Sequence, residues 1–166
     1  MVTDPEIRPA QPSDVPEIVG MVHALARYEQ APEQCHLTVG QLSAALFCER
    51  PALFGHVATA RLGGASPVPL GFTLWFRNYS TWEGVHGIYL EDLYVKPEAR
   101  GAGLGRRLLA TLAATCLEHG YQRLEWSVLH WNPAREFYHG LGAVALDEWV
   151  PYRLSGDGLR QLAKVR

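Results

Sequence analysis

Apolar residues recur along this chain with two periods, and the switches between them divide it into elements. Ile18, Val22 and Leu25 follow one another at helical spacing. Start signals precede them: Asp14 in a capping position, Glu17 three residues on, and Pro16 in a first turn where a missing donor costs nothing. They predict a helix running to about Tyr28-Glu29, with a short strand at Ile7-Arg8-Pro9 before it. A second helix is expected from Thr38, with Gln41 closing a capping box and Leu42, Ala45 and Leu46 on its buried face. From Phe54 the period shortens to that of strands. Phe54 to Ala60, Gly71 to Tyr79 and Gly87 to Val95 read as strands, separated by the turns Gly63-Gly64-Ala65-Ser66-Pro67 and Trp82 to Gly84. Pro97, which cannot donate to a ladder, ends the third.

Leu104, Leu108, Leu112 and Cys116 then sit four apart on one helical face, with Gly120 as the expected C-terminal glycine. Arg123 to Leu129 reads as a strand, Pro133 to Leu141 as a short helix, Val144 to Leu154 as a final strand region, and Leu159 to Ala163 as a terminal helix. Nothing repeats and no linker intervenes, so a single domain over residues 1–166, of mixed α/β class, is expected.

Composition narrows the function classes. Fifteen Lys and Arg against seventeen Asp and Glu leave a formal charge of −2, without the basic excess that phosphate-contacting duplex binders carry. Hydrophobic residues make up 48%, enough for a packed core rather than a disordered chain. Cys35, Cys48 and Cys116 are odd in number and widely spaced, and read as reduced thiols, not as a disulfide frame or zinc site. The histidines show no His-x-x-x-His spacing, and no metal is expected. There is no basic-then-apolar leader, and no apolar run approaches the ~20 residues of a membrane span, so a cytoplasmic protein is expected.

The strongest local signal is Arg100-Gly101-Ala102-Gly103-Leu104-Gly105, which links a strand to a helix. Glycines let backbone approach a ligand, and the free N–H groups of a helix start attract anions. Arg100, Arg106 and Arg107 crowd this end, where cations are unfavourable without an anionic partner. A phosphate-binding P-loop would need Lys-Ser/Thr where Arg106-Arg107 stand, and the dinucleotide fingerprint would need glycine at Arg106. On this segment alone, a strand-to-helix turn with solvated arginines is the competing reading.

Taken together, Arg100-x-x-Gly103-x-Gly105 after Tyr94-Val95 and Pro97 resembles the acetyl-CoA loop of GCN5-related N-acetyltransferases. A second block, Trp131-Asn132-Pro133-Ala134-Arg135-Glu136-Phe137-Tyr138-His139-Gly140-Leu141-Gly142-Ala143, is similar to that family's later motif. Leu25 to Glu29, Tyr79-Ser80-Thr81-Trp82 and Tyr89-Leu90-Glu91-Asp92-Leu93-Tyr94-Val95 resemble the diamine (spermidine/spermine) acetyltransferases within it. Ser80-Thr81, where the polyamine-acetylating branch has Asp-Pro, matches the thialysine-acetylating branch and argues against a strong preference for long polycations. The resemblance runs from Ile7 to about Ala163 and implies a twisted, mixed, mostly antiparallel sheet flanked by helices, with strands splayed at an acetyl-CoA cleft. It implies cofactor contacts from Leu93, Tyr94, Val95, Arg100, Gly101, Ala102, Gly103, Leu104, Gly105, Arg106, Asn132 and Arg135. It also implies a homodimer with substrate sites near the subunit interface.

Amine acetylation needs a neutral amine, a polarised thioester and a proton for the leaving sulfur. An amine of pKa ≈ 10.4 is almost wholly protonated at neutral pH, a penalty of roughly 4–5 kcal/mol, so a carboxylate must take a proton. Glu91 is the first candidate, and the resemblance gives it that role. If the strand is regular it shares a face with the apolar Tyr89, Leu93 and Val95. Tyr138 is the general acid that the resemblance implies; without it, a core tyrosine is the simpler reading. A backbone N–H near Leu93 to Val95 is expected to polarise the carbonyl. Tyr28, Glu29, Trp82, Glu91 and Asp92 offer carboxylates and aromatic faces to a cationic amine. Glu29 reads equally well as a solvated helix-end residue, and Asp92 reaches substrate only if the strand bulges. The expected activity is direct acetyl transfer from acetyl-CoA to a small cationic amine in a ternary complex, with no acetylated cysteine. Polyamine or protein-lysine acetylation, and an acyl-CoA sensor without catalysis, are the alternatives.

Overall fold

Alternating apolar positions in the middle of the chain build one sheet, with strand order β1-β2-β3-β4-β5. The structure, a computed structural model, describes residues 5–61 and 66–165; the expected turn residues Gly63, Gly64 and Ala65 lie outside the described residues. The strands are β1 (Glu6–Pro9), β2 (Phe54–Ala60), β3 (Val68–Ser80), β4 (Val85–Val95) and β5 (Leu124–Trp126). The first three pairings are antiparallel and β4–β5 is parallel, so the sheet is mixed and mostly antiparallel. β3 and β4 are longer than the sequence suggests because they continue as a hairpin to Ser80 and Val85. Ser80 closes the turn: its Oγ accepts from the Glu83 N–H at 3.2 Å and its carbonyl from the Gly84 N–H at 2.8 Å.

Helices cover both faces of the sheet. Val57, Phe72, Leu74 and Tyr94 pack with Val15, Ile18 and Leu42 of α1 (Val15–Tyr28) and α2 (Val39–Phe47). Their strand neighbours Ala58, Leu93 and Val95 pack with Leu104 and Leu108 of α3 (Leu104–His119), on the opposite face as strand alternation requires. Leu108 and Leu112 are fully buried, which stabilises the fold by roughly 1.5–3 kcal/mol each. The expected caps of α2 and α3 are present: Thr38 and Gln41 form a reciprocal box, and the Gly120 N–H reaches the last carbonyls of α3.

Asp14 does a different job from the one expected. It makes no side-chain cap to α1; its buried carboxylate takes two hydrogen bonds from Arg8, at 2.7 and 3.0 Å, and one from the Gln11 N–H at 2.7 Å. Burial alone would push this carboxyl up, but the Arg8 hydrogen bonds and charge and the Gln11 N–H outweigh it and hold it below its ordinary range.

The chain divides into two compact units, Met1–Leu129 and His130–Arg166. Two expected strands are corrected. β5 spans only Leu124–Trp126, its ladder with β4 ending at Leu90, where the bulge of β4 begins. The second unit holds α4 (Ala134–Gly140) and α5 (Gly156–Leu162), and residues 144–154 between them form no strand. A strand exists only through its ladder; this unit offers no partner among its described residues, and Pro151 lacks a donor. Trp149 and Tyr152 are left exposed there.

Candidate active site

The glycine loop meets α3 in a geometry that leaves backbone donors open. Pro97–Ala99 form a tight turn closed by the Arg100 N–H on the Pro97 carbonyl, and Gly101 and Gly103 follow with φ of 80° and 76°. Both are in the left-handed region where a Cβ is penalised, which explains glycine at each. The Arg107 N–H is the first of the helix to find a carbonyl, that of Gly103, so the amides of Leu104, Gly105 and Arg106 point out of the positive end of α3.

The three arginines do not act as a group. Arg107 turns away and donates to the Pro5 carbonyl at 2.6 Å. Arg100 donates through Nε to the Val95 carbonyl at 2.9 Å, with its guanidinium over the Tyr28 and Tyr94 rings at 5.8 and 5.5 Å. It pins the end of β4 to the end of α1, leaving Arg106 as the exposed cation of the first turn.

The second component is an irregularity in β4. Leu74 pairs with Asp92 but Trp75 pairs with Leu90, so Glu91 has no opposite number and forms a β-bulge. The regular face expected for Tyr89, Glu91, Leu93 and Val95 is therefore broken. Glu91 is exposed, while Asp92 is partly buried on the side of Leu74 and Tyr94, which faces α1. Burial pushes the Asp92 carboxyl up to about 6, and the charges of Glu91 and Glu29 push the same way. Glu29, just past α1, is itself shifted up by burial. It is held by a helix ending that the sequence did not reveal: the Gln30 and Ala31 N–H groups bond the Arg27 and Ala26 carbonyls at 3.1 and 3.0 Å, with Gln30 at φ 62° where glycine is usual.

The bulge also opens an edge. The β4–β5 ladder ends at Leu90–Trp126 while β4 continues to Val95. The Lys96 N–H bonds the Leu70 carbonyl, and alternate residues of an antiparallel pair share that orientation. Tyr94 and Asp92 thus face β3, and the Leu93 and Val95 N–H groups point to the side that β5 has left.

In the second unit, the buried Asn132 accepts the Ala134 N–H at 2.9 Å and so starts α4, and Arg135 donates to the His130 carbonyl at 3.0 Å. Tyr138 lies partly buried on α4 with its ring 5.3 Å from that of Phe137. Cys116 is buried, its thiol 3.6 Å from the Arg123 carbonyl and pushed up by burial, which keeps it from acting as a nucleophile.

The profile of the acetyltransferase (GNAT) family matches residues 26–143, a span that contains the glycine loop, the bulged strand and α4. The chain belongs to this family. It is similar to the thialysine N-epsilon-acetyltransferase of Bos taurus, 37% identical over 95% of this chain and 96% of the relative. It is also similar to the L-ornithine N5-acetyltransferase NATA1 of Arabidopsis thaliana, 29% identical over 96% of this chain and 88% of the relative. An integron cassette protein from the mobile metagenome of V. cholerae superposes with a TM-score of 0.76 at 29% identity, covering 96% of this chain and 98% of that one. The fold is the GNAT fold and the protein is an N-acetyltransferase, as the loop and the later block led us to expect.

Not all the expected site residues of this acetyltransferase converge. Glu29, Glu91 and Asp92 form one acidic group, with Tyr28 beside it under Arg100. Trp82 does not join them: it is 90% exposed at the hairpin tip, and the stretch of β4 from Val85 to Glu91 alone spans about 20 Å. No helix among the described residues is long and apolar enough to cross a membrane.

Proposed function

We propose that this N-acetyltransferase moves the acetyl group of acetyl-CoA directly to a primary amine on a small cationic substrate of the thialysine, ornithine or diamine type. The observation that carries the reading is the adjacency along β4 of two opposite provisions: open amides at Leu93 and Val95, and a carboxylate group at Glu91, Asp92 and Glu29. The names of the relatives, which act on thialysine and L-ornithine, point to the same substrate class.

The loop fits coenzyme A in its chemistry. Outward amides at Leu104, Gly105 and Arg106, Gly101 and Gly103 in a conformation that a Cβ would strain, and the exposed Arg106 suit a pyrophosphate. When bound, acetyl-CoA supplies an activated acyl carbon. Leu93 and Val95, with Tyr94 between them, line its path and place an N–H donor where carbonyl charge grows. Asn132 and Arg135 hold the start of α4, and Tyr138 supplies the proton for the leaving sulfur. Glu91, exposed at the bulge, meets the incoming ammonium first, while Glu29, Asp92 and the Tyr28 ring fix its position.

We further propose a single functional domain that works as a homodimer in the cytoplasm. Trp82 cannot reach the acidic group of its own chain, which supports a site completed across a subunit boundary, and the exposed apolar residues 144–154 suit a covered surface. The three free cysteines suit a reducing compartment.

Free-thiol release from acetyl-CoA over a panel of thialysine, ornithine, putrescine, spermidine and a lysine peptide tests the reading. Stimulation by the small amines above the peptide is expected; coenzyme A binding with no amine-dependent release would overturn it. Tyr138→Phe should lower kcat while sparing cofactor affinity.

A further inference from the structure

β2 begins two residues beyond the end of β1. Pro9 lies opposite His56, and the Ala10 N–H still reaches the Gly55 carbonyl at 2.9 Å. The chain then turns off toward α1, so Phe54 has no strand partner on that edge. α2 stops at Phe47, and the chain returns through Leu53 to start β2. Where these ends meet there is a cavity of about 240 Å³, walled by Leu46, Phe47 and Leu53 around the end of α2 and by Phe54, His56 and Trp75 on the sheet. We infer that this cavity is a second binding site, separate from the acetyl-transfer site, for an uncharged molecule of one aromatic ring carrying a hydrogen-bond acceptor for His56 Nε2–H.

The donor is fixed by its neighbour. The Trp75 indole N–H can only donate, and it donates to His56 Nδ1 at 3.2 Å. Nδ1 therefore carries no proton, and the neutral imidazole must hold its proton on Nε2. Protonating the ring would set two donors face to face, and burial works in the same direction, holding His56 below its ordinary range. Nε2–H makes no hydrogen bond within the described residues, yet it is not among the buried polar atoms left unpaired, so it opens onto accessible space. Every other side chain on the cavity wall is apolar or, like the Trp75 indole, already engaged.

Size and chemistry select the occupant. A cavity of about 150 Å³ holds one benzene ring, so about 240 Å³ leaves room for a substituent of a few atoms. Phe54 and Trp75, opposite each other on β2 and β3, stack with centroids 4.7 Å apart, and His56 lies nearly parallel to Trp75 at 6.2 Å. This wall suits an aromatic guest. A charged guest would give up its water for a single hydrogen bond from a neutral donor. Arg77, the nearby cation, stands over the Phe54 ring at 5.8 Å and is not on the cavity wall. The site is separate because β3 intervenes: Gly55 lies opposite Leu74 and Leu74 opposite Asp92, two strand spacings or about 10 Å.

The cavity is independent of the acetyl-transfer reading, and binding alone tests it. Acetophenone, cumene (the same shape without an acceptor) and benzoate would be titrated into the full chain labelled with nitrogen-15, following the Trp75 indole and His56 ring resonances. Acetophenone is expected to shift both, with a Kd below about 1 mM that is unchanged by saturating coenzyme A. In His56→Phe, with coenzyme A affinity as the control for folding, acetophenone should bind about five- to tenfold more weakly, as loss of one hydrogen bond requires. Cumene should stay within about twofold of its wild-type affinity, since it makes no such bond. Equal losses for the two, no shift at millimolar acetophenone, displacement by coenzyme A, or tighter binding of benzoate would each overturn the inference. Should His56→Phe not fold, the wild type decides: a His56 Nε2 resonance that moves with acetophenone and not with cumene upholds the inference, and one that responds alike to both overturns it.

Discussion

A carboxyl that burial and two like charges push up to about 6 weakens the fold that holds it, and replacing Asp92 by asparagine exposes that cost. The folded protein binds the Asp92 proton more tightly than the unfolded chain does. Stability is therefore fully present below about pH 4, falls as pH rises toward 6, and stays reduced above that. A rise from 3.8 to about 6 is worth roughly 3 kcal/mol, and partial contact of the carboxyl with water trims this to about 1–2 kcal/mol. Asparagine keeps the shape and removes the charge, so Asp92→Asn should be more stable than the wild type by that amount near pH 8. The gain should vanish near pH 4. Urea unfolding across this range measures it, and the thermal midpoint should rise by about 2–4 °C per kcal/mol. A gain independent of pH, or destabilisation near pH 8, would refute the reasoning.

Other perturbations reach different parts of the molecule. Gly103→Ala meets no neighbouring atom but must hold φ at 76°, so it should cost about 1 kcal/mol in urea unfolding and weaken coenzyme A binding in calorimetry. Asp14→Ala leaves the partly buried Arg8 guanidinium without its acceptor, and roughly 3 kcal/mol of stability should be lost at neutral pH. Because the folded Asp14 carboxyl lies below its ordinary range, that difference should shrink as pH falls below about 4. Gln30→Gly relieves a left-handed residue at the end of α1 and should stabilise by about 0.5–1 kcal/mol; unchanged stability would mean that no strain is held there.

What could be read from the sequence was mainly local. The four-residue spacing of Leu104, Leu108, Leu112 and Cys116 marks the buried face of α3, and the box of Thr38 and Gln41 marks the start of α2. Both are signals carried within one turn of helix. The bulge at Glu91 was not legible, because it is a relation between β3 and β4 and leaves β4 looking regular by itself. That one hidden register shift takes Glu91 off the face it would share with Leu93 and Val95 and leaves it exposed. For the same reason the arginines at the loop seemed to converge: their partners, the carbonyls of Pro5 and Val95, are main-chain atoms without residue identity. Residues 144–154 have the apolar content of a strand, but a strand is decided by its partner. The glycine loop could be read because positive φ leaves a trace in residue type, whereas Gln30 adopts the same conformation with none.

The central claim is acetyl transfer to the side-chain amine of a small cationic substrate. Its most direct test is the structure of the product formed from acetyl-CoA and thialysine, determined by mass spectrometry and NMR. A single acetyl group on the side-chain nitrogen is predicted. An acetyl group on the α-amine, or no acetylated amine while acetyl-CoA is bound, would contradict the account.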